Sequence, residues 1–516
     1  MTRLDIATRG FLVEPDPGQF AQRYRAGVAQ VLWTRLVADL ETPVSAMLKL
    51  SEGQPLSCLL ESVEGGAVRG RYSIIGIAPD VVWRAAGNRA EINRSPITRP
   101  AAFEPDPNPT LQSLRALLAE SRIDLPEELP PIAAGVIGYM GYDMVRLMEH
   151  LPDEPPDTLG VPDGVFVRPT LMVVFDAVKD EIIVVTPVRP EAGTDAETAR
   201  ARALERLNGV VAALDEPLPH ATAMSSTILA LPEAASNTPP AEYMRMVERA
   251  KDYIAAGDVF QVVLSQRFSV PFALPPFALY RALRRTNPSP FLFHLDFGTF
   301  SLVGSSPEIL VRVRNGEVTI RPLAGTRPRG ATAEADKALE VELLSDPKER
   351  AEHLMLLDLG RNDVGRVARI GSVRVTDSFA VERYSQVMHI VSNVVGQLDK
   401  RHDTVDALMA GFPAGTLSGA PKVRAMEIID ELEKEKRGPY GGCVGYFSAD
   451  GEMDSCIVLR TALVKDGVMY VQAGAGVVAD SNAKAEQAEC GYKAKALFNA
   501  AEEAVRFAQH ARRGNR

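Results

Sequence analysis

Two rhythms of apolar residues run along the chain. In the first stretch, to about Leu214, β-branched and aliphatic runs predict a strand pair, Thr170-Leu171-Met172-Val173-Val174-Phe175 and Glu181-Ile182-Ile183-Val184-Val185. The polar Asp176-Ala177-Val178-Lys179-Asp180 between them predicts the turn. A helix is expected from about Thr110 to Arg122, and another, polar on one face, from Asp195 to Leu214. From Asp215 to Pro240 no period survives, and Pro, Ser, Thr and Ala are frequent. That change predicts a linker and two domains, residues 1–235 and 236–516.

The second stretch is more strongly patterned. Thr238-Pro239 predicts a helix start, and Tyr243, Met246, Val247, Ala250, Tyr253 and Ile254 follow at helical spacing. Val259 to Phe268 and Val387 to Val395 read as strands. Ile309 to Val313 and Val318 to Arg321 flank Asn315-Gly316, a two-residue hairpin signal. Asp346-Pro347-Lys348-Glu349 predicts the start of a helix running to about Leu359. Pro421 to Leu432 predicts another, and a last helix begins near Asn482. Gly415-Thr416-Leu417-Ser418-Gly419 and Gly474-Ala475-Gly476 read as loops. The expected class is α+β, large antiparallel sheets flanked by helices.

Composition narrows the function rather than the fold. Of 516 residues, 46% are hydrophobic and 24% charged, as in globular proteins, and the formal net charge is -10. No basic stripe invites nucleic acid. An anionic substrate would have to be met by local cations or a metal. The four cysteines, Cys58, Cys443, Cys456 and Cys490, form no CxxC and no zinc spacing, which suits reduced thiols in a cytoplasmic protein. The first residues carry no apolar core of a signal peptide, and no apolar run reaches membrane-spanning length, so no membrane role is expected.

Several polar residues stand in positions that can carry chemistry. Glu349 and Glu352 are three apart on one predicted helix, and Glu486 and Glu489 on another. Each pair shares a helix face. Two such faces brought together would make an oxygen cage for magnesium; apart, they are solvated faces. Gln261 and His389 interrupt apolar strands and need buried partners or a ligand. Glu308, after Ser306-Pro307, is unremarkable alone. The glycine loops could offer backbone N–H groups to a carboxylate, but match neither a P-loop nor a dinucleotide fingerprint.

The order of the motifs is more specific than any one of them. Gly257-Asp258-Val259-Phe260-Gln261-Val262-Val263-Leu264-Ser265, Gly304-Ser305-Ser306-Pro307-Glu308, Arg321 to Gly330, Ala351 to Asp363, Gly415 to Lys422 and Gln472 to Ser481 together resemble the chorismate-utilising enzymes, over about Glu242 to Ala500. Leu59-Leu60-Glu61-Ser62 and Arg71-Tyr72-Ser73-Ile74-Ile75-Gly76 resemble the N-terminal domain of anthranilate synthase large subunits. Related salicylate and isochorismate synthases place a water-activating lysine where this chain has Gln261. Aminodeoxychorismate synthases typically carry a lysine where it has Ala324, and alanine cannot form that lysine's covalent adduct. Both differences indicate the anthranilate branch, a lyase of tryptophan biosynthesis that makes anthranilate and pyruvate from chorismate through 2-amino-2-deoxyisochorismate.

The resemblance implies roles. Glu308 would be the general acid for the C4 hydroxyl, His389 would assist elimination, and Gln261 would lie beside the attacked carbon. Glu352 and Glu486 would hold Mg²⁺, with Glu349 and Glu489 acting through waters or behind them. Thr416, Tyr440, Arg460, Gly474, Gly476 and Lys493 would bind substrate. Glu61, Ser62, Asn287, Pro288 and Cys456 match a site for feedback inhibition by L-tryptophan, with Leu292 departing from the usual methionine. No glutaminase signature is present, so the resemblance implies a glutamine amidotransferase subunit supplying ammonia, in a heterotetramer. An enzyme that stops at the aminated intermediate, and a regulatory chain without activity, are the rival readings.

Overall fold

A computed structural model describes residues 11–51, 54–64, 68–219, 231–384 and 387–510. Residues 220–230 of the expected linker lie outside that set. The described strands join in one hydrogen-bonded network whose pairings are antiparallel, with helices packed against it.

Local signals form the elements they predict. Asn315 (φ 50°) and Gly316 (φ 72°) both take positive φ, as a type I′ turn demands, and link Ile309–Arg314 to Glu317–Ile320. Asp346 caps the Pro347–Gly365 helix by accepting from the backbone of Lys348 and Glu349. Asn482 does the same for Lys484 and Ala485 at the start of Ala483–His510. The Pro240–Ala256 helix buries Tyr243, Met246, Val247 and Ala250, the stripe its spacing predicts. Strands Gly164–Asp176 and Glu181–Val188 pair as expected, and the Ala196–Asp215 helix follows.

The two stretches of sequence interleave in space. Cys58–Glu64 pairs with Phe291–Asp296, setting Glu61 opposite Leu292. Gly135–Met140 pairs with Cys443–Ser448, and Ala235–Ser236 with Gln261–Pro271. One apolar cluster holds Leu59, Ile75 and Val184 together with Leu283, Leu497 and Ala501. The structure therefore places the regulatory candidates of the first stretch against strands of the second.

One expectation is corrected. Gly474-Ala475-Gly476 is not a loop but the end of the strand Val468–Val477, paired along Gln261–Pro271 with Val263 opposite Gly476 and Ser265 opposite Gly474. Glycine is depleted in strands and so suggested a loop; within a strand it marks close approach. A Cβ on Gly476 would meet Gln261 Nε2 at 2.5 Å, and one on Gly474 would meet Leu264 O at 2.7 Å.

Candidate active site

Glu308 sits between strands Phe300–Ser306 and Ile309–Arg314 and is 6% exposed. Burial raises its pKa to about 8, against the opposing pull of the Thr416 hydroxyl, a Leu323 backbone bond and the charge of Arg460. Thr416, in the short turn Gly415–Leu417, donates to the two oxygens at 3.2 and 3.3 Å. Glu308 is therefore mostly protonated at neutral pH, an acid held away from water.

His389 lies on the buried strand Val387–Gln397. Its Nδ1 is 3.0 Å from Gly325 O and 3.1 Å from Thr326 Oγ1, while Nε2 is buried without a partner. A carbonyl facing Nδ1 requires a proton there, which leaves Nε2 as a bare lone pair. Burial pushes the imidazole pKa down to about 4, so the ring is neutral. Gln261 is also buried; its Nε2 donates to Glu352 Oε1 at 3.2 Å and its Oε1 has no partner. A neutral base and an amide carbonyl thus stand buried with unmet hydrogen-bonding capacity, the pattern of a site completed by a ligand, and Glu308 adds a buried acid.

The paired glutamates come from the Pro347–Gly365 and Ala483–His510 helices and feel one another electrostatically. Glu352 is raised chiefly by burial, with Glu349 and Glu489 adding to it. Glu486 is raised by burial and by Glu489. Glu349 is bonded to Arg327 at 2.9 Å and Glu489 to Lys493 at 2.8 Å, so those two already have cations. Among the described residues no three acid, histidine or cysteine groups converge into a metal-holding cluster. The donor chemistry nevertheless fits a hard divalent cation, because Glu352 and Glu486 offer only oxygens and are destabilised as anions by burial and repulsion.

Of the remaining candidates, Gly474 and Gly476 are on the strand Val468–Val477, Lys493 is on the helix Ala483–His510, and Tyr440 and Arg460 lie in connections between elements. Tyr440 is buried and shares a backbone hydrogen bond with Gly474, whose carbonyl accepts from Lys493 Nζ at 2.9 Å. By strand alternation Gly476 turns its amide the same way. Arg460 holds a left-handed backbone (φ 49°), unusual outside glycine, and burial lowers its pKa. Among the described residues no carboxylate pairs with it at ion-pair distance.

A second region lies beside this one. A cavity of about 630 Å³ is lined by Glu61, Ser62, Leu292, Cys456 and Tyr446, and also by Glu308. Asn287 and Pro288 do not line it; Asn287 ends the Pro276–Thr286 helix, and its carbonyl accepts from Ser305 Oγ at 2.5 Å. The Glu61 carboxylate is held by Arg284 at 2.6 and 2.9 Å and by Tyr280. Arg284 and Tyr280 had no sequence signal, because their partners are set by tertiary packing; Arg327 lies within the Arg321 to Gly330 motif but was given no role, and the three carboxylates around it are Glu342, Asp346 and Glu349.

The family profile described as chorismate binding enzyme matches residues 67–499. The chain belongs to the chorismate-binding enzymes. It is 57% identical over 495 residues, 96% of this chain and 99% of the relative, to anthranilate synthase component 1 from Cereibacter sphaeroides. The protein of that name from Thermus thermophilus is 48% identical over 90% of this chain and 96% of its own. Among solved structures, anthranilate synthase component I from Streptococcus pneumoniae aligns with a TM-score of 0.72 at 39% identity, covering 90% of this chain and 99% of that one. The Escherichia coli menaquinone-specific isochorismate synthase, at 19% identity and a TM-score of 0.68, shares the fold. Identity of this order over nearly the whole chain places it, within the family, with the component 1 enzymes. Among the described residues no helix is long and apolar enough to cross a membrane.

Proposed function

We propose that this enzyme converts chorismate and ammonia to anthranilate and pyruvate through 2-amino-2-deoxyisochorismate. The observation that carries the reading is Glu308, a buried carboxyl held protonated beside Thr416. Ammonia adds at C2, and the C4 hydroxyl takes the Glu308 proton and leaves as water. The new ammonium returns a proton to the carboxylate. In the second step the C2 proton goes to the bare Nε2 of His389, the enolpyruvyl C–O bond breaks, and the enolpyruvate is protonated to pyruvate.

Gln261 supports amination over hydration. A neutral amide cannot act as a base toward water, and its orphaned Oε1 can accept from an incoming N–H. Arg460, Tyr440, Lys493 and the Gly474 and Gly476 amides are the groups for the substrate carboxylates, with the arginine fork suited to both oxygens. Glu352 and Glu486 would hold Mg²⁺, Glu349 and Glu489 lying behind them. When bound, the ion would neutralise a ring carboxylate and withdraw charge from the ring.

Two further parts of the reading concern supply and control. The relatives' name, component 1, supports a partner component, and a glutamine amidotransferase subunit would deliver ammonia, in a heterotetramer. L-tryptophan would occupy the cavity lined by Glu61, Ser62 and Cys456; Asn287 and Pro288, which do not line it, would contribute only through the helix end they follow. Chorismate, Mg²⁺ and an ammonium salt incubated with the isolated chain should give anthranilate fluorescence and equimolar pyruvate. Accumulation of the aminated intermediate without pyruvate would replace this reading with an enzyme that stops half-way.

A further inference from the structure

Glu433 and Arg437 form an ion pair just after the Lys422–Leu432 helix, and no step above uses it. The residues are 7% and 2% exposed. Arg437 donates to both Glu433 oxygens at 2.9 and 2.5 Å. It also donates to Leu417 O at 2.6 Å and to Val263 O at 2.7 Å. Glu433 Oε1 accepts from the Ser265 amide at 2.8 Å and its hydroxyl at 3.0 Å. The guanidinium lies 4.6 Å from the Tyr142 ring and 5.6 Å from the Tyr440 ring. Each guanidinium nitrogen is thus directed at protein, which leaves the group no obvious role as a ligand for substrate.

Two buried charges are a costly way to fill space, and apolar side chains of similar size often serve stability as well. What apolar groups cannot do is fix two carbonyls from separate segments. Leu417 follows Thr416, whose hydroxyl bonds Glu308. Val263 lies two residues along the strand from Gln261. Tyr440 shares its hydrogen bond with Gly474.

Resting on the chorismate reading for its consequence but on geometry for its content, we infer that the Glu433–Arg437 pair is a positioning device. It ties the Gly415–Leu417 turn, the Gln261 strand and Tyr440 together, and so holds Thr416 against Glu308. Glu308 is also faced by Arg460, and it borders Arg321, Asp363 and Tyr384. None of these bonds to Arg437, so a change made there reaches Glu308 through Thr416. The Thr416 hydroxyl stabilises the carboxylate; releasing the turn must raise the Glu308 pKa from its present value.

The test is a double-mutant cycle on Arg437→Lys and Thr416→Val. The Glu308 carboxyl is titrated by infrared difference spectroscopy in ligand-free protein and assigned by its loss in Glu308→Gln, so the readout needs no turnover. Both single variants should move the titration upward by the same amount, and the double variant no further. In Arg437→Lys, kcat/KM for chorismate should fall about 100-fold, the cost of a ~1 Å misplacement. Glu433→Asp, which keeps the charge and shortens the reach, should shift the titration in the same sense, and serves if the lysine variant fails to fold. A parent-like titration in folded Arg437→Lys or Glu433→Asp, or additive shifts in the double variant, overturns the inference. Absence of turnover in the parent chain would instead count against the functional reading and leave the titration standing.

Discussion

At the scale of single residues, burial decides what each group can do. Glu308 has a folded pKa raised to about 8, so its acid form is present below that value and is lost as pH rises through it. The rate of amination should therefore fall on the alkaline side with an apparent pKa near that value. Glu308→Gln should lower kcat by ~100-fold or more, with the far-ultraviolet dichroism unchanged. A pH–rate profile of parent and variant checks both, and a parent-like rate in the variant would remove Glu308 from the chemistry. His389, lowered to about 4, keeps the same neutral charge across the working range. Little of this could be read from the local sequence. Glu308 looked ordinary because the groups that surround it, Thr416, Leu323 and Arg460, are distant along the chain.

At the scale of elements, what was legible was what is local. The Asn315-Gly316 turn, the Asp346 cap and the stripe of the Pro240–Ala256 helix each depend on neighbours within a few residues, and all formed where expected. Gly474 to Gly476 misled because strand glycines are explained only by what approaches them, here Gln261 and Tyr440. Gly476→Ala tests that close approach. The new methyl would meet the flexible end of Gln261 and not the backbone, so the protein should fold with a Tm close to the parent's while KM for chorismate rises about 10-fold. An unchanged KM, measured by anthranilate fluorescence, would show that the strand end does not face substrate. The two glutamate-bearing helices make a second element-scale prediction. EDTA should abolish activity, and Glu486→Gln should raise the Mg²⁺ requirement ~10-fold or more. A magnesium titration with the same midpoint in the variant and the parent would move the metal elsewhere.

At the scale of the whole molecule, strands from both halves of the sequence meet around one cavity, and that cavity reaches from Ser62 to Glu308. Sequence composition suggested a boundary near the linker but could not show this interleaving, which depends on pairings as distant as Glu61 with Leu292. The shared cavity would give the proposed feedback inhibition a physical route, since a ligand seated by Ser62 would also border Glu308, the proposed acid. Ser62→Leu should relieve inhibition by L-tryptophan while leaving uninhibited turnover within about twofold; an inhibition curve superposable on the parent's would exclude Ser62 from the regulatory site. The proposed reaction is amination of chorismate by ammonia and not its hydration. It is tested most directly by incubating the isolated chain with chorismate, Mg²⁺ and ¹⁵N-ammonium in ¹⁸O-water and weighing the aromatic product. The expected product is anthranilate carrying ¹⁵N and no ¹⁸O, with unlabelled anthranilate absent when ¹⁵N-ammonium is the sole nitrogen source. An ¹⁸O-labelled isochorismate or salicylate, with no nitrogen in the ring product, would contradict it.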